Sequence, residues 1–358
     1  MRRAPAIVLG VGAAALLLAL LLAYAANVPM MPSYLAAWLF WAALPIGALP
    51  LLMALELVGG AWSLELLPAL RRLVLLVPVA AILIVPVLLR LHGLYSWSRG
   101  VASHGPAGAN WLESTWFIVR AIIYLVIWTA LALIFARAAA PERRGRRRMA
   151  AGLGLAVHLV IATLAAVDWT MSLDPRWSSS LFGLLLISVQ CCIALSVAVL
   201  IAGAEADAQT GLPQPGALLL VIGSIWLYFQ FMQFLTMWSA DKPDEVLWYL
   251  QRDADGGRFV EWLVFLAGFL VPVCLLVSAS LRKSLSVVAL VALLMLFAHA
   301  LEMLWLVTPV FRRHFSLRGS DILALVGVGG IALGAALLMR PRPVTQRPVA
   351  RRPEAQHG

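Results

Sequence analysis

The chain has 358 residues, 63% of them hydrophobic and 12% charged, with a formal net charge of +10. Soluble domains combine roughly 25% charged residues with about 45–50% apolar ones, so a chain this apolar cannot cover its own surface in water. A soluble enzyme and a disordered chain are excluded, and an all-α polytopic membrane protein remains, because the apolar residues fall into blocks near the length of about 20 that crosses a bilayer as a helix.

In chain order the blocks predict ten spans, at about 5–26, 34–58, 73–95, 112–137, 149–170, 181–203, 215–239, 259–280, 285–309 and 320–340. They form one membrane domain, 1–340, followed by a basic, proline-rich tail, 341–358, expected to be disordered. The first block follows Met1-Arg2-Arg3 and ends in Ala23-Tyr24-Ala25, which resembles a signal peptide with a small-residue cleavage site. Its length exceeds a signal core, and we read it as an uncleaved helix.

Alternate extramembrane segments, starting with the N-terminus, hold 17 of the 27 basic residues, among them Arg143, Arg144, Arg146, Arg147, Arg148, Arg340 and the four arginines of the tail. The opposite segments hold 8, and Arg90 and Arg120 fall inside spans. This bias places both termini in the cytoplasm. The positive charge is loop charge that orients the chain and meets anionic lipid, not a nucleic-acid surface. Cys191, Cys192 and Cys274 lie inside apolar blocks in no ligand spacing, so neither an iron–sulfur cluster nor a c-type haem has its ligands here. A phosphate-binding G-x-x-x-x-G-K-[ST] loop is also missing from the sequence.

Ionisable groups inside a membrane are costly, and each is a site candidate by default. They are Glu56, Arg90, His92, Glu113, Arg120, His158, Asp168, His299 and Glu302. With the orientation above, all but Glu56 and the mid-depth His158 lie in the outer half, which suggests a polar pocket opening outward or a proton route. His299 and Glu302, spaced i, i+3, share a helix face and can exchange a proton. Arg120 needs a partner, and Glu113, seven residues earlier, lies on its face two turns away. His158 and His299 are the only pair suited to a b-type haem, on weak grounds. In span seven, Gln230 and Gln233 sit one turn apart among aromatics, where their amides can bond across helices or reach a quinone carbonyl.

Three stretches carry a resemblance: Asp168-Trp169-x-Met171-Ser172-Leu173-x-Pro175-x-Trp177, then Trp226-x-Tyr228-x-x-Phe231-x-Gln233-Phe234 running to Trp238 and Pro243-x-Glu245, then His299-x-x-Glu302-x-x-Trp305-x-Val307-x-Pro309. Together they resemble the second quinone-binding membrane component (the F-type one) of bacterial alternative complex III, the quinol:cytochrome c oxidoreductase. That family is a relative of the NrfD-like polysulfide-reductase membrane proteins. The resemblance covers spans two to ten. It implies ten helices with two four-helix bundles, a place in the bacterial inner membrane, and partners comprising a C-type quinol subunit, an iron–sulfur subunit, multihaem and monohaem cytochromes and a terminal oxidase. Menaquinol or ubiquinol is then oxidised at the outer side, and Asp168, Asp174, His299 and Glu302 are its proton-handling candidates. The family pattern carries Asp where this chain has Glu302, so the acid is kept with a longer reach. The alternative is a stand-alone secondary transporter or channel with an outward polar cavity; Pro45, Pro50, Pro78, Pro86 and Pro272 interrupt spans as transporters require, although the halves show no repeat.

Overall fold

The computed structural model describes residues 4–59, 65–100, 111–137, 142, 144–205, 213–240, 243–312 and 315–339; the tail 341–358 lies outside the described residues. Its helices are α1 (Ala4–Ala25), α2 (Met31–Val58), α3 (Leu67–Leu89), α4 (Ser114–Phe135), α5 (Arg144–Trp169), α6 (Phe182–Glu205), α7 (Pro213–Ala240), α8 (Pro243–Asp253), α9 (Gly257–Leu276), α10 (Leu285–Val307) and α11 (Gly319–Leu338). All but α8 are long and apolar enough to cross a membrane, so the described residues hold ten such helices, and they hold no strand. This is the polytopic all-α architecture expected.

One expected boundary differs for an identifiable reason. Helix α3 begins at Leu67 rather than near 73, because Arg71 and Arg72 are helical residues that pair with Glu56 and Glu205 instead of loop charge. The stretch 240–258, expected to be extramembrane, is mostly the helix α8, whose Trp248 is buried while Leu247 and Leu250 are exposed.

Prolines shape the spans one by one. Proline lacks an N–H and its ring strikes the carbonyl four residues earlier, yet it suits a first turn. Accordingly α3 restarts as Leu67–Val74, Val77–Leu83 and Val85–Leu89, each with proline at its second position. In α9 a wide π-turn at Leu266–Leu270 precedes Pro272 and clears its ring. Helix α2 carries Pro45 and Pro50 and stays continuous.

Helix α2 is the hub, buried along most of its length and packed on α3, α5, α6, α10 and α11. Helices α2 to α5 form one four-helix group, and α6, α7, α9 and α10 form another. Small residues allow the close approaches, as membrane interfaces require. A Cβ built on Gly47 would lie 2.1 Å from the Gln190 carbonyl of α6. Helices α1 and α11 pair antiparallel outside these groups: Gly12 meets Gly327 and Ile331, Leu9 meets Gly334, and Leu22 meets Gly319.

Side-chain contacts sort the helix ends into two sets. Glu56, Arg71, Arg72, Arg147 and Glu205 gather at one, here the basic end, where α1 starts and α11 finishes. Trp111, Asp168, Trp177, Trp248, Arg252, Arg312 and Asp321 gather at the other, the aromatic end. Between them Leu17, Leu21, Ile122, Val126, Leu293 and Phe297 are exposed, an apolar belt that suits lipid and not water.

Substituting Gly12→Leu should detach α1 from α11, because a Cβ there already meets the Ile331 nitrogen at 2.7 Å. Gly10→Leu has nothing within 4 Å to strike and should leave the protein unchanged. Thermal unfolding in detergent, compared for the two variants, checks this.

Candidate functional site

Embedded charges form four clusters with different degrees of saturation. At the basic end Glu56 accepts from Arg71 at 2.9 Å and lies 3.5 Å from Arg147. At the aromatic end Asp321 takes a fork from Arg312, Nη1 at 2.9 Å and Nη2 at 2.7 Å, with Ser33 donating at 2.6 Å. That pair ties the ends of α2, α10 and α11 together.

Asp168 forms the third cluster, buried at the end of α5. Arg120 of α4 reaches it with Nε on Oδ2 at 2.8 Å and Nη2 on Oδ1 at 2.9 Å. Trp111 Nε1 donates to Oδ1 at 3.0 Å and Tyr124 Oη to Oδ2 at 2.9 Å, so both carboxylate oxygens are doubly satisfied. The Arg120 guanidinium also stacks over the Trp111 ring at 4.2 Å. This corrects the expected Glu113–Arg120 partnership. Glu113 instead caps α4, accepting from the Thr115 and Trp116 amides at 3.1 and 3.4 Å. Those bonds, Thr115's foremost, hold its carboxyl below the usual range. The cap is therefore complete above that range and fades as pH falls through the lowered value. A bidentate carboxylate one helix away outcompetes an exposed acid two turns along.

The other expected residues are placed as follows. His158 of α5 is buried and accepts at Nδ1 from Trp128 Nε1 at 3.2 Å, which leaves the proton on Nε2 with no partner among the described residues. Asp174 lies in the loop after α5, 3.3 Å from Arg176. Arg90 and His92 are exposed in the turns after α3. Gln233 accepts from Ser179 Oγ at 2.5 Å, joining α7 to the loop before α6.

His299 and Glu302 of α10 form the fourth cluster, with Nδ1 and Oε2 2.7 Å apart. Two groups of α7 hold the other oxygen: Trp226 Nε1 donates to Oε1 at 3.2 Å and Gln230 Nε2 at 2.8 Å. Trp226 also stands edge-on to the His299 ring, 5.2 Å between centroids. His299 Nε2 is buried with no partner among the described residues.

Unlike Asp168, Glu302 borders empty space. A cavity of about 140 Å³ lies between α7, α9 and α10, lined by Trp226, Gln230, Tyr249, Glu261, Glu302 and Trp305 among others. A smaller cavity of about 30 Å³ lies on the α6 side, against Trp177, Gln233 and Trp248. Gln230, Tyr249, Glu302 and Trp305 line both. Tryptophans close the aromatic end above: Trp177 stacks on Trp248 at 4.3 Å, and Trp248 meets Trp305 edge-on at 5.7 Å.

Sequence reasoning missed two residues here: Arg252 counts among the loop charges, and Glu261, near the start of the eighth span, is not among the intramembrane candidates. Glu261 faces the larger cavity from α9. Arg252 of α8 is 2% exposed, stacks 3.6 Å over Trp248, and donates to the Trp248 and Leu306 carbonyls at 3.0 and 2.9 Å. Burial pushes its guanidinium down to about 9. The i, i+4 spacing of Trp248 and Arg252 was the available signal. The chain matches no protein-family model and shows no significant similarity to a curated protein.

Asp168→Asn should leave the Arg120 charge unpaired and destabilise the protein by about 3–5 kcal/mol, the usual result of removing one partner of a buried pair. Glu113→Gln should leave the Arg120 cluster intact. Reversible unfolding in mixed micelles compares the two.

Proposed function

We propose that this chain is a membrane subunit of a quinol-oxidising respiratory complex of the alternative complex III type, and that it supplies an embedded proton-handling acid. In this reading it sits in a bacterial cytoplasmic membrane with both termini in the cytoplasm and the aromatic end outward. Electrons pass through partners: the C-type quinol subunit, an iron–sulfur subunit, multihaem and monohaem cytochromes, and a terminal oxidase.

One observation carries the reading. The three stretches that resemble the family lie apart in the chain yet meet around Glu302. Trp177 donates to Met237 Sδ at 3.3 Å and lines the smaller cavity with Gln233 and Glu302, while Trp226 and Gln230 hold the carboxylate of Glu302. A buried His–Glu pair with a proton-accepting oxygen beside an empty cavity is chemistry for moving protons.

Menaquinol or ubiquinol is the substrate of the whole complex. Ligand pockets usually span about 300–1,000 Å³, whereas the larger cavity here is about 140 Å³. The amide nitrogen of Gln230 is already engaged by Glu302, and the carbonyl of Gln233 by Ser179. An enclosed quinone ring does not fit, so we assign its oxidation to the partner side and the proton to this chain.

Affinity purification of the tagged chain, followed by haem staining, should show co-isolated multihaem and monohaem cytochromes. Within that complex Glu302→Gln should lower quinol:cytochrome c turnover by about 10²-fold or more, the usual worth of a proton-transfer group. Isolation of the chain without haem-bearing partners would contradict the reading.

A further inference from the structure

The larger cavity has an acid at each side. Glu302 forms its inner wall, and Glu261, an exposed residue one turn into α9, forms its outer one. At 1.5 Å per residue Glu261 stands about 6 Å from the start of α9 at the aromatic end. Helix α7 packs against α9 from Leu266 onward; ahead of that point both helices line the cavity, with Glu261 exposed at its edge.

The setting is polar enough to hold water. Tyr249 and Trp305 line the cavity, and the buried indole N–H of Trp305 has no partner among the described residues. Asp253 stands against Glu261, and its Oδ2 accepts from Arg258 at 3.2 Å. A single water needs on the order of 10–15 Å³, so a cavity of about 140 Å³ has room for several. An unpartnered buried N–H is the kind of group that internal waters satisfy.

We infer that Glu302 exchanges its proton with the aqueous phase at the aromatic end through this hydrated cavity, with Glu261 as the acid at its mouth. The proton leaves a Glu302 carboxyl oxygen for a cavity water, moves along the water chain, and binds a Glu261 carboxylate oxygen before release to bulk water. No electron moves in the step. His299 holds Glu302 on the protein side, and Asp253, Arg258 and Tyr249 surround Glu261 on the other. The inference deepens the proton-handling role proposed above, but its test needs no respiratory partner.

The full chain in lipid nanodiscs is subjected to light-triggered release of a caged proton, and the carboxyl infrared band lost in Glu302→Gln reports its protonation. We expect Glu261→Gln to slow that signal at least tenfold and Glu261→Asp to stay near the unmodified rate. Val264→Trp keeps both acids but fills the cavity, and should slow the signal as well. Unchanged rates in both Glu261→Gln and Val264→Trp, or a Glu302 band that never responds in the unmodified chain, would overturn the inference. Failure of the respiratory reading would appear only in the purification test, so the two failures are distinct.

Discussion

Hydrocarbon offers an ionised side chain nothing to bond except other protein groups, so every embedded carboxylate must bring its own donors. The helix packing of this protein follows that demand. Arg312 and Asp321 tie α2, α10 and α11 at one end; Glu56 with Arg71 and Arg147 ties α2, α3 and α5 at the other. Asp168 fixes α4 to α5 and receives Arg120, Tyr124 and Trp111. Close helix contacts then follow from small residues such as Gly47, which let backbones meet.

The same constraint separates structure from function among these acids. Asp168 and Asp321 have guanidinium donors on both oxygens, which suits a latch. Glu302 also has donors on both oxygens, but one is a histidine that can trade the proton, and its carboxylate borders two cavities. A carboxylate bonded to a guanidinium gains little from a proton, because taking one forfeits a charge-assisted fork. A carboxylate bonded to an imidazole and neutral donors forfeits much less.

Much of this was legible in the sequence. Ten apolar blocks stand out because charge is scarce, and the His299–Glu302 pairing follows from helical spacing alone. The role of Gln230 as a donor across helices was likewise readable from an amide placed on an apolar face. The partner of Arg120 was not, since a helix face tells which neighbours are near along one helix and nothing about the acid that packing brings from α5. Arg252 and Glu261 were hidden for a different reason. They flank a short loop, and only the return of α8 over the end of α10 converts a loop arginine into a buried one. Glu261 lines a cavity that only the packing of α7, α9 and α10 creates.

The central claim is that Glu302 is the embedded acid open to exchange while Asp168 and Asp321 are locked. A lipophilic carbodiimide, which attacks protonated carboxyl groups it can reach within the membrane, tests it directly on the reconstituted chain. Peptide mapping by mass spectrometry should find the adduct on Glu302 and none on Asp168 or Asp321. An adduct on either aspartate with Glu302 unmodified would contradict the account.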